Sequence, residues 1–167
     1  EFQKWWSGFY YMSEEEFRWI LENLFIGNKL SKNEAFLEPG RPIDLKTIKS
    51  PIIVFSSYGD NITPPDQALN WIADTYTDEA EIEILGQRIL YMLHDQVGHL
   101  GIFVSSSVAK REHTQVASTL KTIESLPPGL YKLQIERQKG KGNDATFEVS
   151  FARKTIDQML LETSERN

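Results

Sequence analysis

Two short apolar runs separated by an amphipathic segment dominate the pattern of hydrophobic and polar positions. Pro51-Ile52-Ile53-Val54-Phe55 and Arg88-Ile89-Leu90-Tyr91-Met92-Leu93 lack polar alternation, which is typical of strands buried on both faces of a parallel sheet. Between them, after Pro64-Pro65, apolar residues recur at helical spacing: Ala68, Leu69, Ile72, Ala73 and Tyr76. The order predicts a βαβ unit, so we expect parallel strands whose following loops lie at the same edge of the sheet.

Helical segments are predicted on both sides of this unit. Ser13 and Glu16 are spaced as a capping box before an amphipathic helix from about Glu14 to Phe25, which Gly27-Asn28 would end. Residues 28–50 have little periodicity and form a polar connector. Two more helices are indicated, one by Val116, Ala117, Leu120 and Ile123, and a last short one by Ile156, Met159 and Leu160.

The pattern changes to strict alternation after Pro127-Pro128-Gly129. Tyr131, Leu133 and Ile135 alternate with polar residues, as do Phe147, Val149 and Phe151, and a turn-rich segment separates the two runs. This pattern predicts a β-hairpin with one face in solvent. The exposed sheet should either associate with a partner or be extended by the hairpin folding back onto it. A central sheet position favours apolar residues on both faces, so we expect association, with the hairpin outside the sheet.

Composition narrows the class of protein. The chain has 167 residues, a formal net charge of -6 and no cysteine, which excludes disulfides, thiolate metal sites and a cysteine nucleophile. The absence of cysteine favours the cytoplasm, and the acidic balance argues against nucleic acid as a partner. No apolar run approaches the ~20 residues of a membrane span. Lacking an initiator Met and a signal peptide, the chain is expected to be a fragment.

Each of the two buried strands is followed by a loop with a candidate catalytic side chain. Asp60 follows the first strand and His99 follows the second. Catalytic groups of open α/β sheets lie beyond the carboxyl ends of the strands, where such loops converge. A carboxylate there can accept the Nδ1 proton of an imidazole, whose Nε2 then takes a proton from a hydroxyl. The sequence therefore predicts Asp60 as the orienting acid and His99 as the general base.

Plainer interpretations of the same loops stay open. Asp60 could merely cap its turn, and His99 could be a loop imidazole satisfied by backbone groups, although Gly98 and Gly101 permit close backbone approach around it. His94 together with His99 suggests a metal, but no third ligand has convincing spacing. We therefore expect no metal and no cofactor.

Three further features have weaker claims to a function. Ser107-Val108-Ala109-Lys110 fits a Ser-x-x-Lys pattern, but the companion motifs are missing. His113 lies on the inward stripe of its helix and is expected to be a core residue. An aromatic run could line an acyl pocket, but we expect it to pack against another part of the protein: Trp5, Trp6, Phe9, Tyr10 and Tyr11.

The segment from Asp44 to Phe103 resembles the last third of an α/β-hydrolase fold. Ile52 to Phe55 with Gly59-Asp60-Asn61-Ile62-Thr63-Pro64 is similar to the family's seventh strand and acid loop. Leu93 to Phe103, with Gly98-His99-Leu100-Gly101, resembles its eighth strand and histidine loop, and acid before histidine is its chain order. With two further stretches, Trp5 to Tyr10 and Glu22 to Leu30, these motifs resemble the carboxyl-terminal region of bacterial polyhydroxyalkanoate synthetase-like proteins.

This resemblance implies a fold and its boundaries. The expected fold class is α/β: the carboxyl-terminal portion of an α/β-hydrolase-type parallel sheet, with an N-terminal helical segment and a C-terminal β-hairpin extension. We place the boundaries at residues 1–43 for the helical segment and connector, 44–127 for the hydrolase-like unit and 128–167 for the extension. The hairpin from Tyr131 onward matches no hydrolase element.

The resemblance also implies acyl transfer or ester hydrolysis on an acyl ester or hydroxyacyl substrate. It supplies no nucleophile, because the chain contains neither a Gly-x-Ser-x-Gly elbow nor a cysteine. We expect the nucleophile to lie upstream, the chain alone to be inactive, and its partner to be the upstream part of the same protein or another copy of the chain. A non-catalytic interaction or granule-associated module on the same scaffold is the alternative.

Overall fold

A computed structural model describes residues 8, 11–99, 101, 114–139 and 146–164, and it divides into two compact units. The units are residues 1–45 and 46–167. The predicted Ser107-Val108-Ala109-Lys110 pattern, His113 and most of the aromatic run lie outside the described residues. Among the residues that are described, no helix has the length and apolar character needed to cross a membrane.

The first unit begins with the predicted amphipathic helix. Helix α1 spans Glu14–Ile20 and continues as a π-helical segment, Leu21–Phe25. The capping box is present, because the Ser13 hydroxyl accepts from the Glu16 backbone N–H and the Glu16 carboxylate accepts from the Ser13 N–H. Asn28, at a φ of 45°, adopts the left-handed conformation that ends many helices. None of residues 14–25 is buried, so their apolar side chains stay accessible.

The connector after this helix contains structure that the sequence pattern did not indicate. Strands β1, Phe36–Glu38, and β2, Arg41–Pro42, pair antiparallel around a turn in which Gly40 has a φ of +79°. A 3-10 turn at Leu45–Thr47 follows. The strands are too short to show a period of two, which is why the sequence pattern did not indicate them.

The second unit contains the predicted βαβ unit. Strand β3, Ile52–Ser57, leads to helix α2, Pro65–Thr75, and strand β4 is Arg88–His94. β3 and β4 are parallel as predicted, with Ile52 opposite Ile89 and Ser57 opposite His94. The sequence analysis missed the short helix α3, Glu79–Ile84, whose start Asp78 caps by accepting from the Glu81 N–H at 3.0 Å.

The remaining elements complete a sheet of mixed parallel and antiparallel strands, with helices packed against it. Helix α4, Thr114–Ser125, is followed by strand β5, Gly129–Lys139, strand β6, Thr146–Arg153, and helix α5, Ile156–Ser164. The four strands lie in the order β3-β4-β5-β6. β5 runs parallel to β4, and β6 runs antiparallel to β5.

The predicted hairpin is therefore present and extends the sheet through β5, so the favoured expectation that it lies outside the sheet is wrong and the alternative is confirmed. The first residues of β5 have apolar side chains on both faces, because Leu130 is buried in one core cluster and Tyr131 in the other. Lys132, the polar residue of the alternation, is tolerated there because its ammonium pairs with Glu162 at 3.0 Å. The sequence analysis began the alternating pattern at Tyr131, so it did not count Leu130, whose side chain is buried on the other face of the sheet.

Core packing covers both faces of the sheet. On one face, β4 residues Ile89 and Tyr91 pack with side chains of α2 and α5, including Leu69 and Met159. On the other face, Leu90 and Met92 pack with Ile123 of α4. This two-sided burial explains the uninterrupted apolar run of β4 and leaves its carboxyl end, with that of β3, at one edge of the sheet.

Candidate active site

The acid loop leaves β3 and holds Asp60 through its own backbone. The Asp60 Oδ1 accepts from the backbone N–H groups of Ile62 at 2.9 Å and Thr63 at 3.0 Å. Its Oδ2 accepts from the Thr63 hydroxyl at 3.0 Å. Asp60 thus caps its turn through hydrogen bonds, as the plainer interpretation predicted, and these hydrogen bonds fix the direction of its carboxylate.

His99 lies within hydrogen-bond distance of that carboxylate. Its Nδ1 is 3.0 Å from Asp60 Oδ2 and 3.1 Å from Oδ1, so the predicted contact between the two side chains is present. The Asp60 side chain is 12% exposed and the His99 side chain 39% exposed. The carboxylate is therefore enclosed, whereas the imidazole keeps access to solvent or to a ligand. The catalytic role of the two residues stays a prediction.

Thr63 joins the two residues and was missed by the sequence analysis. Its hydroxyl oxygen is 3.0 Å from Asp60 Oδ2 and 3.0 Å from His99 Nδ1. Donating its proton to the carboxylate leaves a lone pair directed at Nδ1, which then faces acceptor oxygens only. We assign the proton of the neutral imidazole to Nδ1 on this basis, which leaves the Nε2 lone pair available as a base.

The same contacts act on the ionisation of Asp60. Burial, the largest single influence, favours the neutral acid, but it is outweighed by hydrogen bonds from the Thr63 and Ile62 amides, from His99 and from the Thr63 hydroxyl. Together they lower the pKa of Asp60 from 3.8 to about 2. The carboxylate is therefore ionised at neutral pH and can stabilise an imidazolium at His99.

Gly59 brings the two loops together. A side-chain Cβ at this position would lie 2.5 Å from the carbonyl carbon of Gln96 and 2.6 Å from its oxygen, so only glycine allows the acid loop to approach the histidine loop this closely. The Gly101 N–H donates to the Gly98 carbonyl at 2.7 Å across His99. A Cβ at Gly98 would meet no atom within 4 Å, so of the two predicted flanking glycines Gly98 is not required for space.

A cleft opens next to these loops, where β4 and β5 part. β4 and β5 pair from Arg88 opposite Gly129 to Tyr91 opposite Lys132. Beyond these residues β4 stays paired with β3, and β5 stays paired with β6. The cleft has a volume of about 560 Å³ and is lined by residues 92–96, 132–136 and Tyr58. Asp60 and His99 do not line it, but Tyr58 and Gln96 belong to their loops.

The other sequence candidates are not part of this contact. His94 Nδ1 accepts from the Gln96 backbone N–H at 3.2 Å, which places His94 in a turn of its own loop. Within the ranges that the structure describes, no three His, Cys, Asp or Glu side chains are grouped to hold a metal ion. Tyr11, the described member of the aromatic run, is fully exposed.

Comparison of the sequence with known proteins identifies the family of this chain. The family model described as "Protein of unknown function (DUF3141)" matches residues 1–167. The chain belongs to this family. It is 48% identical over 135 residues to "Uncharacterized protein in ackA 5'region" of Rhizobium meliloti, a match that covers 81% of this chain and 18% of that protein.

A more distant similarity is to a protein that is named for a polymerase. The chain is 25% identical over 104 residues to "Poly(3-hydroxyalkanoate) polymerase subunit PhaC" of Haloferax mediterranei, covering 62% of this chain and 19% of that protein. The chain thus spans about a fifth of the length of the curated relatives it matches. None of the solved structures matches it.

Proposed function

We propose that this chain supplies the acid and the base of an acyl-transfer or ester-hydrolysis site in a longer α/β-hydrolase-type protein related to polyhydroxyalkanoate synthases. The observation that carries the proposal is the contact of His99 Nδ1 with both Asp60 oxygens, at 3.0 and 3.1 Å. It lies beyond the carboxyl ends of two parallel strands, where such folds place catalytic groups. The distant similarity to a poly(3-hydroxyalkanoate) polymerase subunit supports the proposal, because forming such a polyester is an acyl transfer.

In the proposed reaction Asp60 and His99 act on a nucleophile from another part of the protein. His99 Nε2 takes the proton of a serine hydroxyl or cysteine thiol as that group attacks the acyl carbonyl, and the imidazolium is stabilised by the Asp60 carboxylate. The imidazolium then gives the proton to the departing alcohol or thiol when the tetrahedral intermediate collapses to the acyl-enzyme. Water or an acceptor hydroxyl, deprotonated by the same Nε2, releases the acyl group and restores the enzyme.

The nucleophile is the part that this chain does not provide. Its 167 residues include no Gly-x-Ser-x-Gly elbow and no cysteine. We therefore propose that the remaining part of the protein is the partner of the site, and that it delivers the nucleophile to the edge where Asp60 and His99 lie. The carrier or chain length of the acyl substrate does not enter the proposal.

The test is ester hydrolysis by the full-length protein. We expect p-nitrophenyl butyrate to be hydrolysed, and His99→Ala to lower kcat by about 10²–10⁴, the usual contribution of a general base. Asp157→Asn, at an exposed position in the first turn of α5, is a carboxylate control that should retain the activity. The chain of residues 1–167 alone should release no p-nitrophenol above background.

Two results would contradict the proposal. A full-length protein whose activity is unchanged by His99→Ala would remove His99 from the reaction. A full-length protein without acyl-transfer or hydrolysis activity towards p-nitrophenyl butyrate and hydroxybutyryl thioesters would favour a non-catalytic module on the same scaffold.

A further inference from the structure

Tyr58 connects the acid loop to two other parts of the sheet unit. Its backbone N–H donates to the carbonyl of His94, the last residue of β4, at 2.9 Å. Its hydroxyl donates to the backbone carbonyl of Glu162 in α5 at 2.7 Å. Gly59 follows immediately and packs against Gln96, and Asp60 is next. The residue therefore ties together β4, α5 and the start of the acid loop.

The α5 end of this connection is itself held firmly. The Glu162 carboxylate accepts from the Tyr91 hydroxyl at 2.9 Å, from Lys132 at 3.0 Å and from Lys154 at 2.7 Å. Its side chain is 22% exposed. Burial acts most strongly and opposes ionisation, but the two lysines and the tyrosine outweigh it and lower the pKa of Glu162. The two lysines and Tyr91 thus hold both carboxylate oxygens of Glu162 and restrict the position of this part of α5.

These anchors come from three different parts of the sheet. Tyr91 is on β4, Lys132 on β5, and Lys154 follows β6. The segment from Tyr131 onward, which matches no hydrolase element, thus reaches the acid loop through the Tyr58 hydroxyl.

We propose that Tyr58 is a positioning residue, through which helix α5 and the β5-β6 hairpin hold Asp60 in hydrogen-bonding contact with His99. The structural part of this proposal stands on the contacts above, and only its consequence for turnover rests on the proposed function. Tyr58 acts through Gly59 and Asp60 and needs no contact with the substrate.

The experiment compares two tyrosine-to-phenylalanine variants of the full-length protein. Tyr58→Phe removes the bond between α5 and the acid loop, and Tyr91→Phe removes a bond to the same Glu162 residue that does not reach the loop. Three quantities are measured for each: the His99 Nδ1–H resonance in protein labelled with ¹⁵N-histidine, the urea midpoint of unfolding, and kcat and KM for p-nitrophenyl butyrate. His99→Ala identifies the resonance.

We expect both variants to lower the urea midpoint, because each loses one hydrogen bond to Glu162. Only Tyr58→Phe should broaden or shift the His99 Nδ1–H resonance, and only this variant should lower kcat, by about tenfold with a smaller change in KM, because a misplaced acid–base pair reacts slowly. If Tyr58→Phe leaves the resonance as in the wild type, or Tyr91→Phe changes it equally, the positioning role is overturned. If no ester is hydrolysed by any form, the proposed function fails, while the resonance still decides the role of Tyr58.

Discussion

The loops of Asp60 and His99 reach the same point of the sheet edge by different means. The acid loop is closed by its own hydrogen bonds, from the Ile62 and Thr63 amides and the Thr63 hydroxyl to the Asp60 carboxylate. Among the described residues of the histidine loop, a backbone bond from Gly101 to Gly98 spans His99, and the imidazole is 39% exposed. The direction of the carboxylate is thus set within its own loop, whose start Tyr58 ties to α5, whereas the imidazole meets its described partners in the neighbouring loop.

The difference indicates where the geometry of the site is decided. A neutral imidazole keeps its proton on Nδ1 when Nδ1 meets fixed acceptors, and here the acid loop supplies all of the described acceptors within hydrogen-bond distance of Nδ1, from Asp60 and Thr63. Changes in the acid loop should therefore disturb His99 more than changes in the histidine loop disturb Asp60.

Asp60→Asn should have the largest effect. The amide oxygen can still accept from the Ile62 and Thr63 N–H groups, which places the amide nitrogen where Oδ2 faces His99 Nδ1. A donor there forces the imidazole proton to Nε2, so the base is lost, and we expect kcat of the full-length protein to fall by about 10⁴, as when the acid of a Ser-His-Asp triad is changed in this way. ¹⁵N-histidine spectra would show the tautomer change. An unchanged Nδ1–H resonance would contradict the asymmetry between the loops.

Gly59→Ala should come next, through the contact between the loops. The new methyl group would lie 2.5 Å from the Gln96 backbone, which must move, and such overpacking costs about 1–3 kcal/mol of the free energy of unfolding. Gly98→Ala is the matched control in the histidine loop, where a Cβ meets no atom within 4 Å, and its change should stay within about 0.5 kcal/mol. Urea unfolding of both variants measures the difference, and equal losses would show that the loops do not touch at Gly59.

The sequence predicted the strands that position these loops because their burial leaves a direct signature. β3 and β4 have apolar side chains at consecutive positions, which occurs when both faces of a strand are covered. The loops after these strands were therefore predicted to lie at one edge of the sheet, and so were Asp60 and His99, which these loops contain. The alternating pattern of β5 was misleading, since it indicated a solvent face where Lys132 instead pairs with Glu162 of α5. Lys132 and Glu162 are 30 residues apart, so their contact leaves no pattern in the sequence around either residue.

Thr63 and Tyr58 could not be found from the sequence for a similar reason. Thr63 follows Asp60 by three residues in a loop, where a threonine is common whether or not its hydroxyl reaches a histidine 36 residues away. Tyr58 contacts Glu162 across 104 residues. Helix α3 is a different case, because Asp78 and Glu81 have the spacing of a helix start, and only its length of six residues hides it.

The third prediction is a dependence of stability on acid pH that is specific to the acid loop. The pKa of Asp60 is about 2 in the folded protein and 3.8 without its contacts, so its ionised form stabilises the fold. That contribution is fully present above about pH 4 and is lost as the pH falls through about 2. Asp60→Asn, which cannot ionise, should therefore show a smaller loss of stability than the wild type between pH 5 and pH 2.5. Urea midpoints across this range measure it, and parallel curves would mean that the folded-state pKa is not lowered.

Replacing the Thr63 hydroxyl should give the smallest effect, and the pair of variants Thr63→Val and Thr63→Ser isolates it. Valine keeps the shape and the backbone N–H that Asp60 Oδ1 accepts, and it removes only the hydroxyl that lies 3.0 Å from both Asp60 Oδ2 and His99 Nδ1. We expect a loss of about 1 kcal/mol in the free energy of unfolding, the usual net value of one hydrogen bond, while serine should restore most of it.

The two variants also test whether local bonds alone orient the carboxylate. With two amide bonds remaining on Oδ1, Asp60 should stay in contact with His99 in Thr63→Val, so the Nδ1–H resonance should persist. The acid-induced change in the urea midpoint should move to higher pH, because one bond that lowers the pKa of Asp60 is gone. Loss of that resonance in Thr63→Val would show that the hydroxyl, rather than the turn of the acid loop, holds the acid and base together. The acid-induced change in Thr63→Ser should fall close to that of the wild type, since its hydroxyl can make the same two contacts.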